Sequence, residues 1–297
     1  MTLFSDLNIV VNQQGKVEQR VCCPHCSKNS RDKSLGVNID TGAYHCFRCE
    51  WKGKAGDVQQ APLQRIARID DPGVAERKRE RLRQTWAETV SLSHLTAFPV
   101  RRYLESRALG EVIKSPPIVL RAHAGLPCWD GTQLLGSFPA MVALFNGAHG
   151  YPVTLHVTYL RADGFAKASV PSPKKIMGVA IAGATKGGAI HLHEPRDKVL
   201  GIAEGIESAL SLHLLQAIPV WSAYCAGNLE HVRLPSGLRE LRIGVDIDTS
   251  GKGEQVAQSL AARVMKWSPR TEVYFVKPEL DGPGDLNDDL RRHQQVM

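Results

Sequence analysis

The sequence has no run of eighteen apolar residues, so nothing in it reads as a helix that crosses a membrane. Its opening stretch, MTLFSDLNIVVNQQGKVEQR, lacks the basic start, apolar core and small-residue cleavage site of a secretory signal. The chain is therefore expected in the cytoplasm. The phosphate-loop pattern G-x-x-x-x-G-K-[ST] is missing: GATKGG and TSGKGE both fail it, which excludes a built-in nucleotide-driven motor. Aromatic residues make up only 6% of the chain, so any surface that stacks bases has to be small. Acidic side chains are outnumbered 30 to 37, for a net charge of +7. That balance favours a polyanionic partner, with plain solubility as the other reading. Seven cysteines in a chain without an export signal argue against a disulfide framework and toward metal binding where they cluster.

They cluster near the start. Cys23 and Cys26 form C-P-H-C, Cys46 and Cys49 form C-F-R-C, and nineteen residues lie between the pairs. Two such knuckles each present two thiolates, which suits tetrahedral zinc. SLGVNIDTGAYHC between them reads as a β-hairpin turning at Asp40-Thr41-Gly42, so the expectation is a zinc ribbon over residues 1–55. Cys22 is spare, and four thiolates leave His25 and His45 outside the ligand set. Arg20, Lys28, Arg31, Lys33, Arg48, Lys52 and Lys54 make the unit basic and suit a phosphate backbone.

Residues 56–73 lose periodicity and read as a linker. From Val74, VAERKRERLRQTWAETV is a basic helix, and HLTAFPVRRYLESRAL is a second one, with Pro99 in its first turn and Gly110 as its stop. IVLRAHAGL, FPAMVALFN, PVTLHVTYL and GAIHL then read as strands of a mostly antiparallel sheet, completing a mixed region over 74–195. Arg121, Arg161, Lys167, Lys174, Lys175 and Lys186 punctuate it. Lys174-Lys175 fall in PSPKKIMG, read as a loop whose ammonium groups reach phosphates. Cys128 and Cys225 read as small packing residues.

Residues 196–297 alternate strands and helices, which predicts an α/β unit around a mostly parallel sheet. VLGIAEG delivers Glu204 to a strand end, just before a helix starting near Ile206. WSAYCAGN is a further strand and loop, turning back at Gly227-Asn228. LRIGVDID delivers Asp246 and Asp248, and Gly251 and Gly253 let that loop bend into a helix burying Val256, Leu260 and Val264. VYFVKP, followed by GPGDLNDDL, delivers Asp285, Asn287 and Asp288. Carboxylates gathered at one sheet edge repel one another unless a cation separates them. The natural cation is Mg2+, with Mn2+ as the substitute.

Glutamate after one strand, D-x-D after a later one and D-x-N-D after the next resemble the Toprim domain of DnaG-type primases, type IA and II topoisomerases and certain nucleases. The resemblance covers about ninety residues, from Lys198 to Asp289. It implies Glu204 as acid or base, Asp246 and Asp248 as principal Mg2+ ligands, and Asp285 and Asp288 completing that site. Glu207 resembles an acid found in some primase-like members. A four-cysteine ribbon, a basic sheet and then a Toprim-like region resemble the layout of bacterial and bacteriophage primases. The all-cysteine ligand set resembles the phage type, whereas bacterial chromosomal enzymes usually include a histidine.

The resulting expectation is a multidomain α/β primase with structural zinc and catalytic Mg2+. Its partners would be single-stranded DNA template, ribonucleoside triphosphates and a replicative helicase on a separate chain, since little chain follows for helicase docking. Lys167, Lys174 and Lys175 are the candidates for the triphosphate, and Arg121 and Arg161 for nucleotide or template. A Toprim nuclease using the same acids, and a non-catalytic DNA-binding factor, are the alternatives.

Overall fold

The computed structural model describes residue 4 and residues 7–12, 15–26, 32–55, 72–280 and 282–296. The chain divides into two compact units, residues 1–68 and 69–297. Of the expected linker, residues 56–71 lie outside the described residues, while Pro72 and Gly73 open a helix. Among the described residues no helix is long and apolar enough to cross a membrane.

The first unit is an antiparallel sheet of β1 (Glu18–Val21), β2 (Leu35–Asn38), β3 (Ala43–Cys46) and β4 (Lys52–Lys54), in that order. The expected hairpin joins β2 to β3. Gly42 takes a left-handed φ of 71°, and its N–H reaches the Asn38 carbonyl at 2.9 Å. Leu35, Val37 and Cys46 turn inward onto Phe4 and Ile9, so the strand alternation itself makes the small core.

The second unit opens with α1 (Pro72–Ala87), β5 (Val90–Ser91) and α2 (Phe98–Ser106). There follow β6 (Leu120–Asp130), β7 (Gln133–Asn146), β8 (Pro152–Tyr159) and β9 (Lys174–Ile176), giving an antiparallel sheet ordered β5-β6-β7-β8-β9. Its two faces serve different cores. Met141, Ala143 and Phe145 of β7 join Tyr103 and Leu104 of α2. Ala140 and Val142 join Leu155, Val157 and Tyr159 of β8 beneath Leu82 and Trp86 of α1.

The chain continues with β10 (Val199–Ala203), α3 (Ile206–Gln216), β11 (Val220–Ser222), α4 (Ala226–Leu229), β12 (Glu240–Gly244), α5 (Lys252–Trp267), β13 (Glu272–Val276) and α6 (Leu286–Val296). The strands form an all-parallel sheet ordered β11-β10-β12-β13. Every residue of β10 is buried, as a central parallel strand requires. Val256, Leu260 and Val264 of α5 cover one face against Leu241 and Ile243. On the other, α3 shares one core with Met141 and Phe145 of the antiparallel sheet, so this helix is buried nearly all round.

Four local expectations are corrected. Lys174 and Lys175 lie in strand β9, not a loop, because β8 is left an edge that three residues can pair. GAIHL makes only single bridges, Asn146 with Ala189 and Ile190 with Ser222. A Cβ on Gly188 would lie 2.2 Å from the Asn146 carbonyl oxygen, so the segment crosses closely between the two sheets and does not extend either. The second helix ends at Ser106, where Ala108 turns left-handed at φ 59°, and Gly110 begins a short 3-10 turn. Gly227 and Asn228 sit inside α4, and the Asn228 side chain ties that turn to Gly187 and Gly188.

Candidate active site and metal centre

In the first unit the four expected sulfurs meet. Cys23 and Cys49 are 3.7 Å apart, Cys26 and Cys46 are 3.4 Å apart, and all four lie within 4.8 Å of one another. Tetrahedral zinc with bonds of about 2.3 Å spaces its sulfurs by about 3.8 Å, so the cage has the right size. Burial pushes the Cys46 thiol up, but N–H groups of Cys49 and Arg48 aimed at its sulfur bring it down to about 6. Cys26, half-buried and crowded by the other thiols, is pushed up to about 12. Such opposed demands within one cage are resolved by a divalent cation, so the residues fit zinc. The two histidines are occupied elsewhere: His25 stacks on Trp51 at 4.2 Å, and His45 tilts against Phe47 at 4.7 Å. Arg20 lies 3.8 Å over the exposed Phe47 ring. Lys28 and Arg31 lie outside the described residues.

In the second unit, β10, β12 and β13 run parallel, so the chain leaves all three at one edge. Glu204 follows β10 directly, and Asp246 and Asp248 follow β12. Asp285 arrives from further along the chain because Ile247 and Gly284 exchange two backbone hydrogen bonds of 2.9 Å. Gly253 brings the start of α5 against the same loop, where an added Cβ would sit 2.0 Å from the Asp246 carbonyl oxygen.

The acids gathered there differ in state. Asp246 Oδ1 is buried and accepts no hydrogen bond. Burial, then the charges of Asp285 and Glu204, push this carboxyl up to about 7. Burial also raises Glu204, and Asp248 adds to the effect. Asp248 is the opposite case. It accepts from the Ser250 hydroxyl and from the N–H groups of Gly253, Ser250 and Lys252, which hold it down at about 2 as a fixed anion. Asp285 Oδ1 accepts from the N–H groups of Asn287 and Asp288 at 2.8 and 2.9 Å, and Asp288 Oδ2 accepts from Asp285 N at 3.3 Å. This reciprocal box starts α6. Asp288 is otherwise exposed beside Arg291 at 3.8 Å. An unpartnered oxygen whose charge Asp285 and Glu204 oppose is the kind of oxygen a hard cation satisfies, although among the described residues only the four cysteines form a ready-made cage of three or more ligands. Asp248 presents the remaining negative charge at the rim.

Next to the acids sits a buried cluster that the sequence does not announce. The Tyr103 hydroxyl donates to Glu207 Oε1 at 2.6 Å, while Lys167 and Lys174 approach the same carboxylate at 3.3 and 3.9 Å. Burial alone would raise Glu207, but Lys174, Lys167 and Tyr103 outweigh it and hold the group at about 2. The Lys174 charge also pulls down both Glu204 and Asp246. Arg107 approaches Tyr103, Glu207 and Asp285. His156 is buried alongside, kept neutral by that burial with its pKa near 4.

The other basic candidates go elsewhere. Lys175 donates to the Trp129 carbonyl at 2.8 Å on the far face of the sheet. Arg121 donates to the Thr89 carbonyl at 2.6 Å and lies over Trp86, on the face under α1. Arg161 pairs with Asp163 at the surface at 2.6 Å. Tyr103, Arg107 and His156 were not legible as site residues. Tyr103 and Arg107 sit in a charged helical segment and His156 in an apolar strand, none of them marked by a motif, and the Tyr103–Glu207 contact spans 104 positions.

Residues 199–295 match the model of the Toprim domain, and residues 76–187 match that of a domain of unknown function, DUF7146. The parallel sheet and its acids therefore belong to a Toprim domain. Among solved structures, the chain is similar to the primase fragment of the bacteriophage T7 primase-helicase protein, at 14% identity and TM-score 0.41, covering 93% of this chain and 96% of that one. It is similar to the zinc-binding and RNA polymerase domains of Aquifex aeolicus primase, at 14% identity and TM-score 0.39, covering 100% and 82%. The RNA polymerase domain of Mycobacterium tuberculosis primase DnaG is similar at 12% identity and TM-score 0.41, covering 75% and 82%. No curated protein sequence matches.

Proposed function

We propose that this Toprim-bearing chain is a DNA primase of the DnaG type, which makes short RNA primers on single-stranded DNA from ribonucleoside triphosphates. The observation that carries the reading is the Toprim edge itself: the unpartnered Oδ1 of Asp246, its charge opposed by Asp285 and Glu204, with Lys174 and Lys167 held nearby on Glu207. Negative charge for a cation and positive charge for phosphates thus meet at one place, as nucleotidyl transfer requires.

In the reaction a 3′-hydroxyl oxygen bonds to the α-phosphorus of the incoming triphosphate, and the bond to pyrophosphate breaks. Mg2+ held by Asp246, Glu204 and Asp285 would supply charge neutralisation on the phosphate oxygens. Glu204, its carboxyl raised by burial, is placed to accept the hydroxyl proton. Lys174 and Lys167 balance the triphosphate, exchanging part of their pairing with Glu207 for it. Asp248 keeps the loop before α5 in shape through its four accepted hydrogen bonds. The four-thiolate ribbon reads the template, and a replicative helicase on a separate chain delivers it. Lys175, Arg121 and Arg161 leave the catalytic set.

The test is primer synthesis by the full chain on defined single-stranded templates with ribonucleoside triphosphates and Mg2+ or Mn2+. Short RNA products are expected. Asp246→Ala should lower their yield at least about 100-fold while circular dichroism stays unchanged. Template cleavage that proceeds without triphosphates would replace this reading with the nuclease one, and full synthesis by the folded variant would remove the assigned site.

A further inference from the structure

Groups from separate stretches of the second unit converge on one carboxylate, Glu207, in the first turn of α3. The Tyr103 hydroxyl comes from α2, Lys167 from the connection between β8 and β9, and Lys174 from β9 itself. Arg107, at the end of α2, approaches both Tyr103 and Glu207. These partners do not hold the carboxylate equally. The phenol is bonded at 2.6 Å, the length of a strong hydroxyl-to-anion bond, which runs about 2.5–2.7 Å. The ammonium groups stand off at 3.3 and 3.9 Å, beyond the roughly 2.7–2.9 Å of a close ammonium–carboxylate bond. Burial runs in the same sense. Tyr103 and Glu207 are buried, whereas the Lys167 and Lys174 side chains keep 26% and 39% of their surface open. The hydroxyl is therefore the fixed partner of Glu207, and the lysines are its exchangeable ones. His156, buried alongside and neutral, supplies no replacement cation.

We propose that Tyr103 is a positioning residue for the incoming triphosphate: its hydroxyl keeps Glu207 a satisfied anion, so that Lys167 and Lys174 are free to leave that carboxylate for phosphate. A buried carboxylate stripped of every partner costs far more than one that keeps a hydrogen bond. With the phenol in place, transfer of the lysines leaves Glu207 bonded. Without it, the lysines are the chief partners the carboxylate has left, and they stay on it. The triphosphate site is then weakened while the reacting atoms are untouched. Tyr103 touches neither substrate nor metal; it acts through Glu207 and then through the lysines. The inference rests on the reading of Lys167 and Lys174 as triphosphate ligands.

The experiment compares the parent, Tyr103→Phe, Glu207→Gln and the double variant, each as the full chain. Calorimetry measures binding of ATP in Mg2+ buffer, and primer synthesis gives KM for the triphosphate separately from kcat. Tyr103→Phe keeps the ring in its core and removes only the donor. It should weaken ATP binding and raise KM about tenfold, with kcat within about twofold of the parent. Glu207→Gln releases both lysines and should tighten ATP binding, and in that background Tyr103→Phe should have no further effect. Unchanged affinity and KM in folded Tyr103→Phe would overturn the proposal. So would a fall in kcat at constant KM, which would put the hydroxyl in the chemical step, or an equal loss in both backgrounds, which a purely structural phenol would give. Should Glu207→Gln fail to fold, the split between KM and kcat in Tyr103→Phe still decides. The catalytic reading is judged apart. A parent chain that makes no primer, yet binds ATP in this Tyr103-dependent way, sinks that reading and leaves this one standing; normal priming with no effect of Tyr103→Phe sinks this one alone.

Discussion

The surroundings of Asp246 oppose its charge, so it is only part ionised at neutral pH. Its folded carboxyl titrates near 7, well above its ordinary value of 3.8, because burial and the charges of Asp285 and Glu204 oppose ionisation. An acid raised on folding stabilises the fold below its unfolded pKa, and that contribution is lost as pH rises through the folded value. Asp246→Asn should therefore be more stable than the parent at pH 8 in chelator, by on the order of 2 kcal/mol after solvent screening. In a unit of this size that is a melting shift of roughly 5 °C. The gap should shrink from pH 7 downward and close near pH 4, and added Mg2+ should raise the melting temperature of the parent alone. A variant no more stable than the parent at pH 8 would show that the edge imposes no strain on this carboxylate. Glu207, more deeply buried, shows the reverse: two lysines and a tyrosine hold its charge, so its contribution fades only as pH falls from about 4.5 toward 2. Such differences between carboxylates are not readable from the sequence, where Asp246 follows one strand and Glu207 opens a helix and each is simply an acid. They arise from partners contributed by β9 and α2.

At the scale of elements, placement of the acids depends on close backbone approaches. Gly253 touches the Asp246 carbonyl oxygen at a distance no Cβ tolerates, whereas Gly227 in α4 meets nothing within 4 Å. Gly253→Ala should force α5 away from the acidic loop, destabilising by about 2–3 kcal/mol and lowering primer synthesis more than tenfold. Gly227→Ala should leave both nearly unchanged or gain a few tenths of a kcal/mol from helix propensity. Equal effects from the two substitutions, read by thermal melts and synthesis, would refute that distinction. The strand–acid–helix order was legible because a buried parallel strand is a short apolar run and its exit is marked by glycine and charge. The three-residue β9 was not legible. PSPKKI looks like a loop, and only pairing with β8 makes it extended. Once extended, the twofold alternation of a strand sends Lys174 and Lys175 to opposite faces, which no reading of adjacent lysines as one cluster anticipates. The bridges at Ala189 and Ile190 escaped for a similar reason, since GAIHL alternates like a strand and its crossing between two sheets is a tertiary fact.

For the molecule as a whole, the two units have separate sources of stability. The ribbon core is a handful of side chains around the thiol cage, too little to hold without metal, while the second unit is built on extensive cores around two sheets. Stripping zinc with a chelator should raise hydrogen exchange across residues 18–54 to that of an unfolded chain and leave β10, β12 and β13 protected. Protection of β1 to β4 that survives chelation would mean that zinc is not what holds the ribbon. The sequence by itself determined the ribbon, the Toprim strands and which acids follow them, because metal-ligand spacing and strand-end carboxylates are local patterns. Tertiary structure alone decided how the charges are shared: which acid is orphaned, which is fixed by helix-start N–H groups, and which lysine faces which side. Those outcomes depend on groups up to a hundred residues apart meeting in a medium of low dielectric, where burial and a neighbour a few ångströms away set the state of each group.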